Sequence, residues 1–317
     1  MTVATVSHRF GSSFAWPATP YTDVTGRLAD AERYAVRAKR MGADIVAFPE
    51  MYPIVDAPRD QWANLAEPLD GPTFRHMAGV ARREGMYLLW PTFRRDDEGV
   101  HNSAVLFDRQ GQVAGTYDKM FPTIWEIDCG VIPGERPVVV ETDFGRVGTI
   151  ICYDINFADC VVETARAGAE LILFPSASRG GLLLRSWAHQ LGVYFASAIL
   201  SDLGQIVDVG GDVLVESTYE GVAVARINLD RRLLHTDFNR DRWDDMLAKY
   251  GTGISLKFHT RESKFILGSE MLDVSVDDLI REFGLETIDH YFDRARAYRQ
   301  QALDRRAVQP ALSRART

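Results

Sequence analysis

TDFGRVGTIICYDINFADCVVETARAGAELILFP, residues 142–175, is the stretch that decides the fold. Its apolar run at 147–151 is too short for an isolated helix and suits a strand that is buried on both faces. Helical patterning follows at 159–167, and a second apolar run follows at 171–175. The order strand, helix, strand predicts a layered α/β fold.

The thiol of Cys152 stands at the end of the first of these strands, just before the helical segment. Strand ends in layered α/β proteins open into clefts, and the N–H groups at a helix N-terminus stabilise an anion. Cys152 is therefore a candidate nucleophile. Taken alone, the stretch also fits a buried cysteine that serves as a small apolar residue, which is the commoner use of cysteine.

Two further strand ends carry charged side chains. An apolar run at 43–50 follows a helical pattern at 27–41 and ends at Glu50. The segment NSAVLFDRQGQVAGTYDK, residues 102–119, alternates on both sides of a turn at 110–111, which predicts a hairpin that ends at Lys119. Each of these residues alone also fits an ordinary surface position, Glu50 in a loop and Lys119 in solvent.

The three strand ends together supply a reactive set. A cysteine nucleophile needs a base, and its tetrahedral intermediate needs a positive charge or N–H donors near the oxyanion. None of the seven histidines lies in a persuasive catalytic motif. The sequence therefore favours Glu50 as the base, Lys119 as the cation and Cys152 as the nucleophile.

The same patterns predict elements along the rest of the chain. The segments 213–216 and 221–229 are expected to form a hairpin. From about Arg232 the pattern becomes charged and helical. The predicted domains are a catalytic domain at 1–231 and an extension at 232–317, which is mostly helical and packs on the core or on a partner subunit. Further strands are expected at 2–7, 86–93, 138–141 and within 182–200, and further helices at 72–84, 242–249, 276–283 and 287–302.

Composition and charge exclude several classes of protein. The net charge of −8 argues against a nucleic-acid partner held by phosphate neutralisation. Cys129, Cys152 and Cys160 form no CxxC pair, which predicts no disulfide framework, no metal and a reducing compartment. No apolar run approaches the roughly 18 residues of a membrane span, and the first residues do not resemble a secretory signal. We therefore expect a cytoplasmic protein with no membrane partner and no cofactor.

In the segments that carry Glu50, Lys119 and Cys152, the chain resembles the nitrilase, or carbon–nitrogen hydrolase, superfamily. The matching segments are IVAFPEMYP around Glu50, NSAVLFDRQGQVAGTYDK ending at Lys119, and FGRVGTIICYDINF around Cys152, followed by ARAGAELILFPSA. The resemblance covers about residues 1–230. It implies an α-β-β-α sandwich that forms a four-layer homodimer or a higher homo-oligomer, and it does not cover the C-terminal extension.

The resemblance also implies a mechanism. Glu50 takes the thiol proton of Cys152, and the thiolate attacks an amide or nitrile carbon. The Lys119 ammonium stabilises the thiolate and, with the backbone N–H of Tyr153, holds the oxyanion. The family often adds a second glutamate after the lysine, for which Glu126 fits best and Glu135 is the weaker candidate. The residues expected to bind substrate are Tyr153, Trp125, Tyr52 and Ser176.

The residues after the nucleophile indicate the reaction. Cys-Tyr-Asp at 152–154 is similar to the amidase branches, whereas nitrilases proper usually read Cys-Trp-Glu and carbamoylases commonly read Cys-Asn-Asp. The resemblance therefore implies hydrolysis of a small carboxamide to acid and ammonia, with an N-carbamoyl (ureido) compound second and a nitrile third. A catalytically silent scaffold is the alternative from a different class, which the intact Glu50, Lys119 and Cys152 disfavour. The stretch 187–191 departs from the usual family pattern.

Overall fold

The computed structural model describes residues 1–7, 24–55, 57–201, 203–218 and 221–308. The chain divides into two compact units, Met1–Leu229 and Asp230–Thr317. The strands of the first unit are β1 Thr2–Val6, β2 Ile45–Ala47, β3 Tyr87–Arg95, β4 Val100–Phe107, β5 Val113–Asp118, β6 Val139–Thr142, β7 Gly145–Thr149, β8 Leu171–Ser176, β9 Tyr194–Ile199, β10 Gln205–Val207, β11 Val213–Glu216 and β12 Val222–Arg226. Its helices are α1 Val24–Arg40, α2 Pro72–Glu84, α3 Ile124–Asp128, α4 Ala158–Arg166 and α5 Gly181–Leu191.

Two six-stranded sheets form the centre of the first unit. Their strand orders are β12-β1-β2-β3-β4-β5 and β11-β10-β9-β8-β7-β6. In each sheet the middle strands are parallel, β1 to β3 in the first and β7 to β9 in the second. The strands β1 and β2 lie against β8 and β9, so the two sheets face each other. Parallel strands end at one edge of a sheet, which makes that edge the natural place for a site.

The helices cover the outer faces of the two sheets. The apolar side of α1 (Ala31, Tyr34, Ala35) packs with α2 on the first sheet, where Trp90 of β3 is fully buried. The corresponding cluster on the second sheet joins α4 and α5 to β8 and β9. Each large apolar side chain buried in this way contributes about 1.5–3 kcal/mol. The result is the α-β-β-α sandwich that the family resemblance implies.

The hairpin predicted from 213–216 and 221–229 is wrong. The strand β11 pairs with β10, and β12 pairs antiparallel with β1 in the other sheet. The tight turn at 208–212 closes the β10–β11 hairpin, because Asp208 Oδ1 accepts hydrogen bonds from the N–H groups of Gly210 and Asp212, each at 2.9 Å. Alternation of apolar residues identifies a strand but does not identify its partner, which here is distant in sequence.

The second unit combines a sheet with helices. Its strands β13 Arg231–His235, β14 Ile254–His259 and β15 Lys264–Ser269 form an antiparallel sheet in the order β13-β15-β14. Its helices are α6 Trp243–Tyr250, α7 Val276–Phe283 and α8 Ile288–Val308. These helices were expected from the sequence and the sheet was not, because β13 and β14 carry basic residues that resemble the charged helical pattern around them. The core of this unit includes Leu234, Met246, Phe265 and Leu279.

None of the helices in the described ranges is both long enough and apolar enough to cross a membrane.

Candidate active site

The candidate site lies at the edge where parallel strands of both sheets end. Glu50 follows β2, Lys119 directly follows β5, and Cys152 follows β7. The backbone N–H of Ala177, just beyond β8, donates to Glu50 Oε2 at 3.0 Å. This bond joins the second sheet to the carboxylate of the first. The three sequence-predicted residues lie together at this edge.

Lys119 is held between two carboxylates. Its Nζ donates to Glu50 Oε1 at 2.9 Å and to Glu126 Oε2 at 2.8 Å. The lysine side chain is only 1% exposed, and the two carboxylates are nearly as buried. Because a buried ion is costly unless it is paired and hydrogen-bonded, these contacts are what allow three charges to lie out of water.

A capping box places Glu126. Thr123 precedes the short helix α3 and accepts a bond from the Glu126 N–H at 3.3 Å, while Glu126 Oε2 accepts the Thr123 N–H at 2.7 Å. The sequence TIWE, residues 123–126, is the T-x-x-E signature of this motif. Glu135 is exposed, so Glu126 is the glutamate that the structure brings to Lys119.

Asn102 is a member of the cluster that the sequence analysis missed. Its Nδ2 donates to Glu50 Oε1 at 2.9 Å and to Glu126 Oε1 at 2.7 Å, and the residue is fully buried on β4. The hairpin register contained a signal for it, because Ser103 pairs with Asp118 and the backbone N–H of Lys119 donates to the Asn102 carbonyl. A buried asparagine directly opposite a buried lysine needs polar partners.

The charges of the cluster stabilise each other. Burial alone would lower the pKa of the Lys119 ammonium, but Glu50, Glu126 and Cys152 together raise it above its ordinary value. Burial opposes ionisation of Glu126, yet Lys119, Thr123 and Asn102 hold the pKa of this carboxyl below its usual range.

Cys152 sits in a strained turn. Its φ of 46° lies in the left-handed region, which a residue with a side chain occupies only when its surroundings hold it there. A 3₁₀ turn at Cys152–Asn156 follows, and α4 begins only after it. Cys152 is half-buried, and Ser176 and Ala177 lie near its thiol.

Lys119 favours the thiolate of Cys152, as expected, but its effect on the pKa of this thiol is outweighed. Burial and the negative charge of Glu50 raise the pKa of Cys152 to about 12, and the opposing effects of Lys119, Ser176 and Ala177 are smaller. The thiol is therefore protonated at neutral pH, and the thiolate forms only when a base removes the proton.

The raised pKa of Cys152 leads to a pH prediction. We expect the rate at which methyl methanethiosulfonate modifies Cys152 to rise about tenfold per pH unit between pH 7 and 10, because the thiolate fraction rises by that factor below the pKa. Peptide mass spectrometry would follow Cys152 separately from the exposed Cys129. A rate for Cys152 that is constant between pH 6 and 8 would contradict the protonated resting state.

The residues expected to bind substrate lie in different surroundings. Tyr153 is 39% exposed and packs edge-on against Phe157, and the half-buried Trp125 on α3 packs edge-on against Trp62. Ser176 is fully buried beside the thiol. That these three residues bind substrate stays a prediction.

The expectation that Tyr52 lines the pocket does not agree with its position. The side chain is fully buried in the core cluster between α1, α2 and the first sheet. Its hydroxyl donates to Asp30 Oδ2 at 3.2 Å, and its ring packs against Phe48 and Trp90. Position 52, two residues after Glu50, can face either the site or the core, and apolar packing decides the outcome here.

The atypical stretch 187–191 lies in α5. Trp187 Nε1 donates to the Ile155 carbonyl at 2.9 Å, so this stretch supports the turn that follows Cys152. Across the described residues, no group of three or more His, Cys, Asp and Glu side chains could hold a metal ion.

Comparison with known proteins agrees with this architecture. The family model for "Carbon-nitrogen hydrolase" matches residues 11–230. The nitrilase and fragile histidine triad fusion protein NitFhit of Drosophila melanogaster is 32% identical over 280 residues, covering 77% of this chain and 60% of that protein. This chain therefore spans less than two thirds of the length of the fusion protein.

A second relative and two solved structures are also similar. Deaminated glutathione amidase of Homo sapiens is 26% identical over 260 residues, which cover 69% of this chain and 78% of that protein. An amidase from Nesterenkonia sp. superposes with a TM-score of 0.63 at 24% identity, over 79% of this chain and 96% of that one. Nit3 of Saccharomyces cerevisiae, of branch 10 of the nitrilase superfamily, gives 0.60 at 23% identity, over 71% and 89%. Both structures share the fold of this chain.

Proposed function

The chain belongs to the carbon–nitrogen hydrolase family of the nitrilase superfamily, and from this we propose that it hydrolyses a small carboxamide to a carboxylic acid and ammonia through a thioester on Cys152. The observation that carries the proposal is the buried cluster in which Lys119 binds both Glu50 and Glu126 beside the thiol. A scaffold would gain nothing from burying these charges together, because removing them from water costs free energy.

The first step is attack on the amide. Glu50 removes the proton of Cys152 as the sulfur approaches the carbonyl carbon, since the thiol is protonated at rest. The carboxylate lies close enough to raise the pKa of Cys152, and the bond from Ala177 fixes its second oxygen. General-base activation of this kind couples thiolate formation to the presence of substrate.

The tetrahedral intermediate needs partners for its oxyanion. The Lys119 ammonium has three N–H donors, two of which bind Glu50 and Glu126. We assign the third donor and the backbone N–H of Tyr153 to the oxyanion. Glu126 orients the lysine and Asn102 orients the base, because Glu126 accepts a hydrogen bond from Lys119 and Asn102 donates one to Glu50.

Collapse of the intermediate breaks the carbon–nitrogen bond. Glu50 returns the proton to the leaving nitrogen, ammonia departs, and the acyl group remains on Cys152 as a thioester. Glu50 then takes a proton from water, the hydroxide adds to the thioester carbon, and the acid leaves as the thiol regains a proton. The same carboxylate acts as base, acid and base again.

An amide is favoured over other substrates on two grounds. The tripeptide Cys152-Tyr153-Asp154 matches the amidase branches. In addition, the human relative and the Nesterenkonia structure are both named amidases. We therefore propose a carboxamide as the substrate.

A substrate panel tests the proposal. Purified protein is incubated with small carboxamides, N-carbamoyl amino acids and nitriles, and ammonia and acid are quantified. We expect ammonia and acid in equal amounts from at least one carboxamide. Carbon dioxide released with ammonia would indicate a ureido substrate, turnover of nitriles alone would indicate a nitrilase, and no release from any compound would support the silent scaffold. Each of these three results would overturn the carboxamide proposal.

A further inference from the structure

A fully buried carboxylate lies two residues beyond the nucleophile and is not part of the mechanism above. Asp154 Oδ2 accepts the N–H of Ile151 at 2.8 Å and the hydroxyl of Tyr117 at 2.7 Å. Asp154 Oδ1 accepts the N–H of Phe121 at 2.8 Å. Every one of these partners is a donor, so the site is built for an ionised carboxylate.

These partners come from the two segments that carry the reacting groups. Tyr117 and Phe121 lie two residues before and two residues after Lys119. Ile151 directly precedes Cys152, and its carbonyl accepts the N–H of Asp154 at 3.0 Å. Asp154 is thus a direct link between the segment around Lys119 and the turn around Cys152.

The turn needs such a link. Cys152 has a positive φ, which costs free energy in a residue with a Cβ and persists only where neighbouring contacts hold it. The bonds between Asp154 and Ile151 close the turn on both sides of Cys152. They also fix the backbone of Tyr153, whose N–H lies between the two residues.

We propose that Asp154 is a positioning residue, whose ionised carboxylate holds Cys152 and the Tyr153 N–H in register with Lys119. This inference rests on the proposed function, since it assigns a role in the same reaction. Asp154 touches no reacting atom and acts through the turn and through Tyr117.

Protonation of Asp154 gives the link a pH dependence. Burial raises the pKa of Asp154 to about 6, although hydrogen bonds from Tyr117, Ile151 and Phe121 and the charge of Lys119 oppose the rise. The other titratable group nearby is Cys160 of α4, whose Sγ lies 3.4 Å from the Tyr117 hydroxyl. When the Asp154 carboxyl is protonated, its O–H group is a donor that faces other donors, so one of its hydrogen bonds is lost. Turnover should therefore fall as the pH drops below about 6.

The test compares Asp154→Asn with Tyr117→Phe and with a matched control, Asp208→Asn. Asp208 is as buried as Asp154 and accepts backbone N–H groups of its own turn, at Gly210 and Asp212. We expect Asp154→Asn to lower kcat about 10- to 100-fold, as misplacement of reacting groups does, while KM changes less than twofold. Tyr117→Phe should lower kcat less, and Asp208→Asn should leave it unchanged.

Two readouts separate positioning from a merely structural role. The wild-type kcat should decline on the acid side with an apparent pKa near 6, and Asp154→Asn should lack this decline. Modification of Cys152 by methyl methanethiosulfonate should also change its rate in Asp154→Asn, and this measurement needs no amide turnover. It can therefore succeed or fail independently of the proposed function.

The inference is overturned by either of two results. One is a kcat for Asp154→Asn within twofold of the wild type. The other is a loss that is equal in Asp208→Asn and parallels a lower thermal midpoint, with the acid decline unmoved. If the wild type hydrolyses no compound of the panel, the proposed function fails. The Cys152 modification rate then decides the role of Asp154, and an equal rate in the wild type and in Asp154→Asn would overturn the inference.

Discussion

Replacing Cys152 with alanine is expected to reduce amide hydrolysis by about 10⁴-fold or more, which is the scale on which loss of a nucleophile abolishes covalent catalysis. Water cannot take the place of the sulfur efficiently, because Glu50 and Lys119 are arranged around the thiol position. Ammonia release from the best amide of the panel measures the effect. The thioester should also disappear, so that rapid quenching and mass spectrometry find acylated wild-type protein and no acylated variant.

Cys129→Ala is the matched control for this substitution. Cys129 is an exposed cysteine at the end of α3, and its replacement should leave kcat unchanged. The Cys152→Ala protein should retain its far-ultraviolet circular dichroism and cooperative unfolding, since the change removes one sulfur atom. Hydrolysis by Cys152→Ala at the wild-type rate would rule out the proposed mechanism.

Replacing Lys119 with methionine is expected to lower both kcat and stability. The variant loses an oxyanion donor, which costs about 10²–10³ in kcat. It also leaves Glu50 and Glu126 buried without a cation, and removing one partner of a buried ion pair costs about 3–5 kcal/mol. Urea unfolding at pH 7.5 measures the second effect, and an unfolding free energy equal to that of the wild type would contradict it.

The pH dependence of stability should differ between the wild type and Lys119→Met. In the wild type the pKa of Lys119 is raised, so its contribution is complete at neutral pH and is lost only as the pH climbs through that raised pKa. The pKa of Glu126 is lowered, so its contribution is present above the usual carboxyl range and is lost as the pH falls. Without the lysine, ionisation of two neighbouring carboxylates becomes unfavourable, and stability should instead decrease as the pH rises towards neutrality.

Two further variants identify the cause of the stability loss in Lys119→Met. The double substitution Lys119→Met with Glu126→Gln should regain part of the lost stability and none of the activity, because it removes a buried unpaired charge and restores no oxyanion donor. Lys249→Met removes a lysine whose partner, Glu282, lies on the exposed surface. This control should leave the unfolding midpoint nearly unchanged.

The strand ends of the first unit could be predicted because their signals are local. Apolar runs ending at Glu50 and near Cys152, and a hairpin ending at Lys119, are visible within windows of about ten residues. The packing of α1 follows in the same way from its apolar spacing. The family resemblance then supplied the sandwich, which no local window contains.

The remaining features depend on contacts between residues that are distant in sequence. The roles of Asn102 and Asp154 follow from the close approach of strands in both sheets, and the burial of Tyr52 follows from packing against Trp90. The raised pKa of Cys152 depends on how much water the finished fold excludes and on the distance to Glu50. The pairing partner of β12 could not be predicted either, because it is β1, the first strand of the chain.

The double use of Glu126 has a consequence for anyone who wishes to redesign substrate choice. One carboxylate both completes the first turn of α3 and binds Lys119. A helix of five residues has no independent stability, since isolated helices need about 12–15 residues. The segment that carries Trp125 is therefore shaped by the buried charges of Lys119 and Glu126. Libraries that vary this wall should keep Thr123 and Glu126 fixed and diversify only the side chains that they present.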